Sequence, residues 1–407
     1  MIKFIPYTIS NRAIIVSLYL FAFLFLALYG NEGFQTINQI ILWVFGPLLA
    51  IFIIEPNIGK LGTIPKEYYF YLSMVGFAFL GYVNVINEEF FYRYLQVFLA
   101  NFVLMVIVYF AINNIREWEL AWKIIAMVGL LVSVMGYFKG AQAMDEEYFR
   151  LTGLTGNANG TANYARVAII AFLIVLQFTR KKFWKIFIWI SILYLSYTII
   201  LTASRGGFAN LIFILGGYVV FKYFSGWRLI LLLVLLFLFG NLALYFAEEF
   251  LQGFYLFERL TRNDSVSGAV ENEARLKLYT LAWNLFLEHP FVGVGLNQFR
   301  IYSKGPITHT DLLDIFVQLG IFAGIIYASI YVKLAGRIRK LKSWLRDKRD
   351  LQIYHILLLG FASEVLYGIS NPNWFTQLQM VVLSLFIIYS FKIRSTRIAY
   401  PVKFSSK

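Results

Sequence analysis

Two arginines lie in sequence patterns that suit the binding of an anion. Arg205 lies in TASRGGF (202–208), beside two glycines that let the backbone approach a ligand closely. Arg275 lies in ENEARLKLYTLAWNLFLEH (271–289), and Tyr279 follows it by four residues, on the same face of a predicted helix. Guanidinium groups suit phosphate and carboxylate oxygens. The two arginines therefore indicate an anionic ligand, and contact of interfacial arginines with lipid headgroups is the alternative.

A histidine, His309, is the candidate general base. It lies in PITHTDLLDIFVQLGIFAG (306–324), immediately before a long apolar segment and close to Asp311. Neutral imidazole accepts a proton from a hydroxyl near neutral pH, which carboxylates usually do only with a shifted pKa. The chain has no cysteine and three histidines, which excludes a thiolate metal site and makes a multi-histidine site unexpected. We therefore predict chemistry without a metal or other cofactor.

A third group of candidates surrounds a loop rich in glycine and asparagine, GLTGNANGTANYAR (153–166). Its backbone N–H groups can form an anion-binding concavity. The alternative is an ordinary loop that leads into a helix, with Thr161 or Asn159 as the cap. The predicted substrate-binding residues in and beside this loop are Arg150, Asn159 and Arg166. Two more, Tyr279 and Arg300, lie within residues 247–310.

The composition predicts that these residues are carried by membrane-spanning helices. The chain has 407 residues, of which 60% are hydrophobic and 14% charged, and its mean hydropathy is +0.69. Soluble domains are about 45–50% apolar and about 25% charged. We therefore predict an all-α polytopic membrane protein that forms a single integral membrane domain over 1–407. Apolar segments long enough to span a bilayer lie near 13–29, 37–54, 68–86, 94–112, 118–138, 161–178, 182–202, 207–223, 227–246, 311–333, 352–370 and 375–391.

The distribution of basic residues predicts the orientation of these twelve spans. With the first residue in the cytoplasm, 24 of the 36 Lys and Arg fall on the cytoplasmic side and ten on the outer side. Both termini are then cytoplasmic, and residues 247–310 form a large outer loop between the ninth and tenth spans. Within that loop, 271–289 has apolar residues at helical spacing and predicts a helix on the membrane surface or over a cavity. Topology thus accounts for most of the net charge of +14 without a nucleic-acid partner.

The order of these patterns resembles the O-antigen ligase and O-antigen polymerase superfamily of membrane glycosyltransferases. The resemblance covers about 150–325 and rests on the Gly/Asn loop, Ser204-Arg205-Gly206-Gly207, Glu273-Ala274-Arg275, Pro290 with Gly293 and Gly295, and His309 with Gly320. Two positions depart from the family. Thr310 follows the histidine where the family commonly has Asn or Ser, and Tyr279 stands where the ligases usually have Leu.

The resemblance implies a metal-independent transfer of a glycan from undecaprenyl diphosphate, in the bacterial inner membrane and on its periplasmic face. It implies that Arg205 and Arg275 hold the diphosphate and that His309 is the base for the acceptor hydroxyl. Direct displacement would invert the anomeric centre. A ligase would use lipid A–core as the acceptor, which we expect here; the alternative is an O-antigen or exopolysaccharide polymerase that uses a lipid-linked repeat unit.

A lipid or solute transporter is the alternative from another functional class, because twelve spans with both ends inside is a common transporter arrangement. A transporter needs ionisable residues or broken helices near the membrane midplane, usually in two related halves. Arg166, His355 and Glu364 are the candidates for such residues, and the sequence has no visible half-repeat. The sequence therefore favours the glycan transferase.

Overall fold

The computed structural model describes residues 9–26, 40–139, 141–145, 148–223, 266–305, 308, 310–345 and 347–393. These residues are mostly helical. In chain order the α-helices are α1 (Asn11–Leu26), α2 (Gly46–Ile54), α3 (Lys66–Leu80), α4 (Glu88–Ala111), α5 (Ile115–Lys139), α6 (Ala158–Phe178), α7 (Lys182–Leu201), α8 (Arg205–Tyr223), α9 (Val266–Glu288), α10 (Phe299–Tyr302), α11 (Asp311–Leu341), α12 (Lys348–Ser370) and α13 (Gln377–Ile388). Short π-helical turns precede α2 (Ile41–Phe45) and follow α13 (Tyr389–Ile393).

Seven of the described helices are long and apolar enough to cross a membrane: α4, α5, α6, α7, α8, α11 and α12. The segments Asn11–Phe25 and Gln377–Ile393 are shorter apolar helices. Each predicted span except one coincides with a helix, because long segments rich in Leu, Ile, Val and Phe form helices where they are buried or in lipid. The exception, 227–246, lies outside the described residues, and the total of twelve spans and their orientation stay predictions.

The helix α6 forms the centre of the bundle. Its apolar stretch is 83% buried, whereas those of α7 and α8 are 33% and 28% buried. It packs closely on α5, where a Cβ added at Gly129 would overlap the side chain of Ala168. Small residues of this kind let membrane helices approach each other closely. The Gly/Asn loop before α6 is therefore held against one of the most enclosed of the described helices.

The loop before α6 also contains a short antiparallel hairpin of β1 (Ala141–Asp145) and β2 (Tyr148–Leu151). Residue 142 pairs with residue 150 in this ladder. The hairpin is not among the elements predicted from the sequence, because glycine and asparagine dominate the second half of the loop. The helical fold class therefore holds apart from this hairpin.

The helix α11 is broken at Gly320, whose φ of 80° and ψ of −179° are not helical. The segment that follows α9 pairs with the backbone freed by this break: Val294 N–H donates to the Val317 carbonyl at 2.8 Å, and Ile321 N–H donates to the Pro290 carbonyl at 2.8 Å. A Cβ at Gly320 would overlap the carbonyl of Phe291. Glycine is needed at 320 because a positive φ and a close backbone approach coincide there.

The helix predicted over 271–289 is confirmed as α9, which ends at Glu288, two residues before Pro290. Its apolar face packs on α10, α11 and the intervening turn through Ala282, Leu285, Val294, Phe299 and Val317. Pro290 cannot continue a helix, and the turn at Gly293–Gly295 brings the chain back to the break in α11. The glycines of this segment thus fix α9 over the first half of α11.

The connections predicted to lie on the outer side meet at one end of the bundle in the described part of the chain. The side chain of Asn84 donates to the Gly293 carbonyl at 2.7 Å, and the Gln298 carboxamide oxygen accepts from the N–H of Asn87 at 2.8 Å. At the opposite end Arg337 pairs with Glu67 at 2.8 Å. We call the first end the site end.

We predict that Gly320→Ala lowers the free energy of unfolding by at least about 2 kcal/mol, because alanine is strained at this φ and its methyl group overlaps the Phe291 carbonyl. Gly336→Ala in the same helix is the matched control, since a Cβ at Gly336 meets nothing within 4 Å. Denaturation in mixed micelles measures both. Equal stability of the two variants would contradict a required break at Gly320.

Candidate functional site

The turn between α7 and α8 places Arg205 at the first residue of a helix. Ala203 takes a positive φ of 49°, and the Ser204 hydroxyl accepts from the Gly207 N–H at 3.2 Å. The chain therefore reverses direction within three residues, 202–204. Because a helix N-terminus carries partial positive charge, the half-buried Arg205 guanidinium adds to a region that already favours anions.

The glycines that follow Arg205 bring this turn against the end of α12. A Cβ at Gly206 would overlap the hydroxyl of Ser370 and approach the Asn371 carboxamide. One turn later, Asn210 donates to the Gly206 carbonyl at 2.9 Å and accepts from the Ser363 hydroxyl at 2.9 Å. The SRGG segment is thus fixed to α12 from two sides.

The predicted base His309 lies outside the described residues, but its two neighbours are described. The Thr308 hydroxyl is buried and donates to the Asp314 carboxylate at 3.0 Å and to the Thr310 carbonyl at 3.2 Å. The Asp314 N–H in turn donates to the Thr310 carbonyl at 3.1 Å. The backbone on both sides of position 309 is therefore held on the first turn of α11.

The carboxylate of Asp311 receives three hydrogen bonds at the start of α11. One oxygen accepts from the backbone N–H groups of Asn373 and of Trp374, the latter at 3.1 Å, and the other accepts from the Tyr327 hydroxyl at 2.7 Å. The Trp374 indole N–H donates to Asp314 at 2.8 Å. Asp311 and Asp314 thus attach residues 373–374 to the helix that begins two residues after His309.

Arg166 is completely buried in the bundle beside the same region. Its guanidinium pairs with Glu364 at 2.9 Å and donates to Ser363 at 2.7 Å and to the Asn163 carboxamide oxygen at 2.7 Å. The Tyr367 ring lies 4.6 Å from the guanidinium carbon. Through these contacts Arg166 holds α6 against α12. Its contact with substrate stays a prediction.

A chain of buried hydrogen bonds connects the Arg166 cluster to Asp311. We call it the polar chain; it runs from Asn163 to Asn373 (3.1 Å), Gln379 (2.6 Å), Tyr331 (2.7 Å), Tyr327 (3.1 Å) and Asp311 (2.7 Å). Polar groups inside a helix bundle must be paired in this way, because neither lipid nor the apolar core offers partners. The polar chain therefore joins α6, α11, α13 and the residues before α13 into one unit.

Other predicted residues lie around this unit. The Asn159 carbonyl accepts from the Tyr367 hydroxyl at 2.6 Å. The N-cap of α6 is Asn157 and not the predicted Thr161 or Asn159, because the Asn157 side chain accepts from the Asn159 N–H. Arg275 and Tyr279 are half-buried, one turn apart on α9. The side chain of residue 150 lies outside the described set, although its backbone is in β2.

Arg300 lies on the short helix α10 and lines a cavity that also contains Arg93. Arg93 is not among the site residues that the sequence predicts. The sequence also missed Asp311, Asn373 and Trp374 as organising residues. The signal for the latter pair was the Asn-Pro-Asn-Trp turn at 371–374, whose polar residues stand between two apolar segments.

The site end therefore brings together groups suited to anion binding and a turn that carries an imidazole. Arg205 begins α8 against residues 370–371, and residues 373–374 bind the turn next to His309. In the described residues no group of three or more His, Asp or Glu side chains is arranged to hold a metal ion. The described arrangement can stabilise developing negative charge with guanidinium groups and backbone N–H groups.

One comparison with known proteins agrees with the resemblance. Residues 190–328 match the family model described as O-antigen ligase. The matched part extends from within α7 to within α11 and includes Arg205, Arg275, His309 and Gly320. The match confirms the resemblance to the O-antigen ligase superfamily over this third of the chain. A search of curated proteins finds no match.

We predict that Glu364→Gln lowers the free energy of unfolding by about 3–5 kcal/mol, because it leaves the Arg166 charge buried without its counter-ion. The matched control is Glu119→Gln, which removes an ion pair to the half-exposed Lys123 and should cost at most about 1 kcal/mol. Denaturation in mixed micelles compares them. Similar losses for both variants would show that the Arg166–Glu364 pair does not hold α6 to α12.

Proposed function

We propose, from the match to O-antigen ligases, that this chain is a membrane glycosyltransferase that moves a glycan from undecaprenyl diphosphate to an acceptor hydroxyl. The reaction takes place at the site end, which in this proposal faces the periplasm of a bacterial inner membrane. The acceptor is lipid A–core, so the activity is that of an O-antigen ligase. The enzyme needs no metal ion or other cofactor, and its substrates reach it from the surrounding membrane lipids.

One observation supports this proposal above the others. The segment between α12 and α13, residues 370–377, contacts the SRGG turn at its start and the turn next to His309 at residues 373–374. These two turns are more than 100 residues apart in the sequence, and each carries one of the residue types that the reaction requires. A single short segment therefore couples an anion-binding arginine to the turn that bears the imidazole.

The chemistry follows from the groups involved. The His309 imidazole accepts the proton of the acceptor hydroxyl, and the hydroxyl oxygen attacks the anomeric carbon from the face opposite the diphosphate. The bond from the anomeric carbon to the diphosphate oxygen breaks, and its electron pair leaves with the diphosphate. Arg205 and Arg275 stabilise the added negative charge. One displacement inverts the anomeric configuration.

A polymerase that joins lipid-linked repeat units of O-antigen or exopolysaccharide is the second candidate. Tyr279 favours it, because the position four residues after the arginine usually carries Leu in the ligases. The half-buried Tyr279 lies on α9 one turn from Arg275. Both candidates use the same donor and the same displacement, and they differ in the acceptor alone.

Reconstituted membranes containing an undecaprenyl-diphosphate-linked glycan test the proposal. Lipid A–core and lipid-linked repeat units are offered in separate reactions in the presence of EDTA, and the products are sized on a gel. Product with lipid A–core alone indicates a ligase, and a ladder of lengthening lipid-linked chains indicates a polymerase. Absence of covalent product in both reactions, with movement of the lipid between leaflets, would favour the transporter.

We predict that His309→Ala lowers kcat in this assay by about 10²–10⁴-fold, the usual contribution of a general base. Binding of the donor should be unchanged, because the arginines that hold the diphosphate remain. His355→Ala is the matched control, since His355 stacks on Phe221 at 4.4 Å on the far part of α12. Undiminished product with His309→Ala would remove this residue from the mechanism.

We predict that Arg275→Lys lowers kcat/KM by about tenfold or more, because a point charge replaces the planar fork that binds two phosphate oxygens. Arg116→Lys, at an exposed position at the start of α5, should leave the rate unchanged. Transfer rates over a range of donor concentrations measure both. Full activity of Arg275→Lys would argue against a two-point contact with the diphosphate.

A further inference from the structure

A cavity of about 360 Å³ at the site end lies outside the parts assigned to the donor. Arg93, from the first turns of α4, and Arg300, from α10, are its two charged residues, and the described residues that line it include no carboxylate. Arg93 is exposed, whereas the Nε of Arg300 is buried and has no hydrogen-bond partner among the described residues. An unpaired buried donor next to a second guanidinium favours an anionic occupant.

The rest of the lining suits a sugar ring. Phe90, Tyr94 and Phe375 contribute aromatic faces, and the Tyr94 and Phe375 rings pack edge to face with centroids 5.6 Å apart. Asn297 and Gln377 add carboxamide groups, which both donate and accept hydrogen bonds. Apolar walls with a few polar groups are typical of small-ligand sites, and the volume is within their usual range.

The cavity is lined by the last residues of the 370–377 segment, whose first residues meet the SRGG turn. Along this segment, Ser370 and Asn371 meet the SRGG turn, Asn373 and Trp374 bind Asp311, and Phe375 to Gln377 line the cavity. Seven residue steps limit the distance between the Cα atoms of 370 and 377 to about 25 Å. Residues 373–374, which bind the turn next to His309, therefore lie along the chain between the residues that meet the SRGG turn and those that line the cavity.

This order fits the requirement of a direct displacement. The acceptor must approach the anomeric carbon from the face opposite the diphosphate, with the base beside its hydroxyl. Arg300 is also close enough to Asp314 for a favourable electrostatic interaction, and Asp314 accepts from Thr308 next to His309. The cavity is therefore linked through Arg300 and Asp314 to the turn that bears His309.

We propose that the cavity between Arg93 and Arg300 binds an anionic sugar of the acceptor, whose negative group, a carboxylate or a phosphate, lies between the two guanidinium groups. This inference depends on the proposed function only in assigning the bound sugar to the acceptor. The binding of an anionic sugar follows from the cavity itself and is measurable without transfer.

The test is the binding of soluble sugars to the purified full-length protein in lipid nanodiscs, by equilibrium dialysis. Methyl β-glucuronide, glucose 6-phosphate and methyl β-glucoside serve as the carboxylate, phosphate and neutral probes. We expect both anionic probes, or one of them, to bind at least about tenfold more tightly than the neutral one, the effect of charge-assisted hydrogen bonds. The tighter anionic probe identifies the kind of negative group.

Arg93→Gln should lower the affinity for the anionic probe about tenfold or more without affecting folding, because Arg93 is exposed. Arg300→Lys keeps the charge and should weaken binding less than Arg300→Gln. Arg116→Gln is the control for a general loss of positive charge. Equal affinity for all three probes, or unchanged affinity in Arg93→Gln, would overturn the inference.

The transfer assay separates this inference from the proposed function. If Arg93→Gln raises the KM for the acceptor and leaves the KM for the donor unchanged, the cavity belongs to the acceptor. Binding of anionic probes without any transfer activity would leave the anionic site standing and reject the transferase. Transfer at wild-type KM values in Arg93→Gln would reject the acceptor role and leave the transferase standing.

Discussion

The site end of this protein depends on the carboxylate of Asp311. This group is buried and is held by hydrogen-bond donors: two backbone N–H groups of residues 373 and 374 and the hydroxyl of Tyr327. A buried carboxylate without such donors is costly, so the donors have little freedom to leave. By fixing residues 373–374, Asp311 also fixes the residues on either side of them, which contact the SRGG turn in one direction and line the Arg93–Arg300 cavity in the other. The catalytic proposal and the acceptor proposal therefore share one structural origin.

The sequence predicted the helices well and their polar connections poorly. Apolar runs identify helical segments one at a time, and the motif order around Arg205, Arg275 and Gly320 identified the superfamily. Hydropathy does not reveal which helices touch, so it missed the pairing of residues 294 and 317 that breaks α11, and the polar chain from Asn163 to Asp311. Residues such as Asp311 and Asn373 lie in turns, where polar residues are ordinary; only the three-dimensional packing shows that they are enclosed.

The sequence gives Arg166 and Glu364 as candidate residues of a transport route. In the structure they form a buried ion pair with each other. A buried charge on a route for ions or lipids has to exchange partners, whereas the Arg166 guanidinium is surrounded by Asn163, Ser363, Glu364 and the ring of Tyr367. His355 stacks on Phe221 elsewhere on α12. The buried polar groups around Arg166 thus hold helices together beneath the site end, which suits a rigid scaffold for the proposed active site.

The burial of α13 has a consequence for biogenesis. Every residue from Leu378 to Ile388 is buried, and Gln379 is a member of the polar chain. Twelve of the described helices precede α13 in the chain, yet α13 occupies an enclosed place among them, where Trp118 and Trp122 of α5 contact it. Trp118 and Trp122 therefore lack these contacts until α13 has been made. Because Gln379 of α13 belongs to the polar chain, that chain of hydrogen bonds is complete only once α13 is in place.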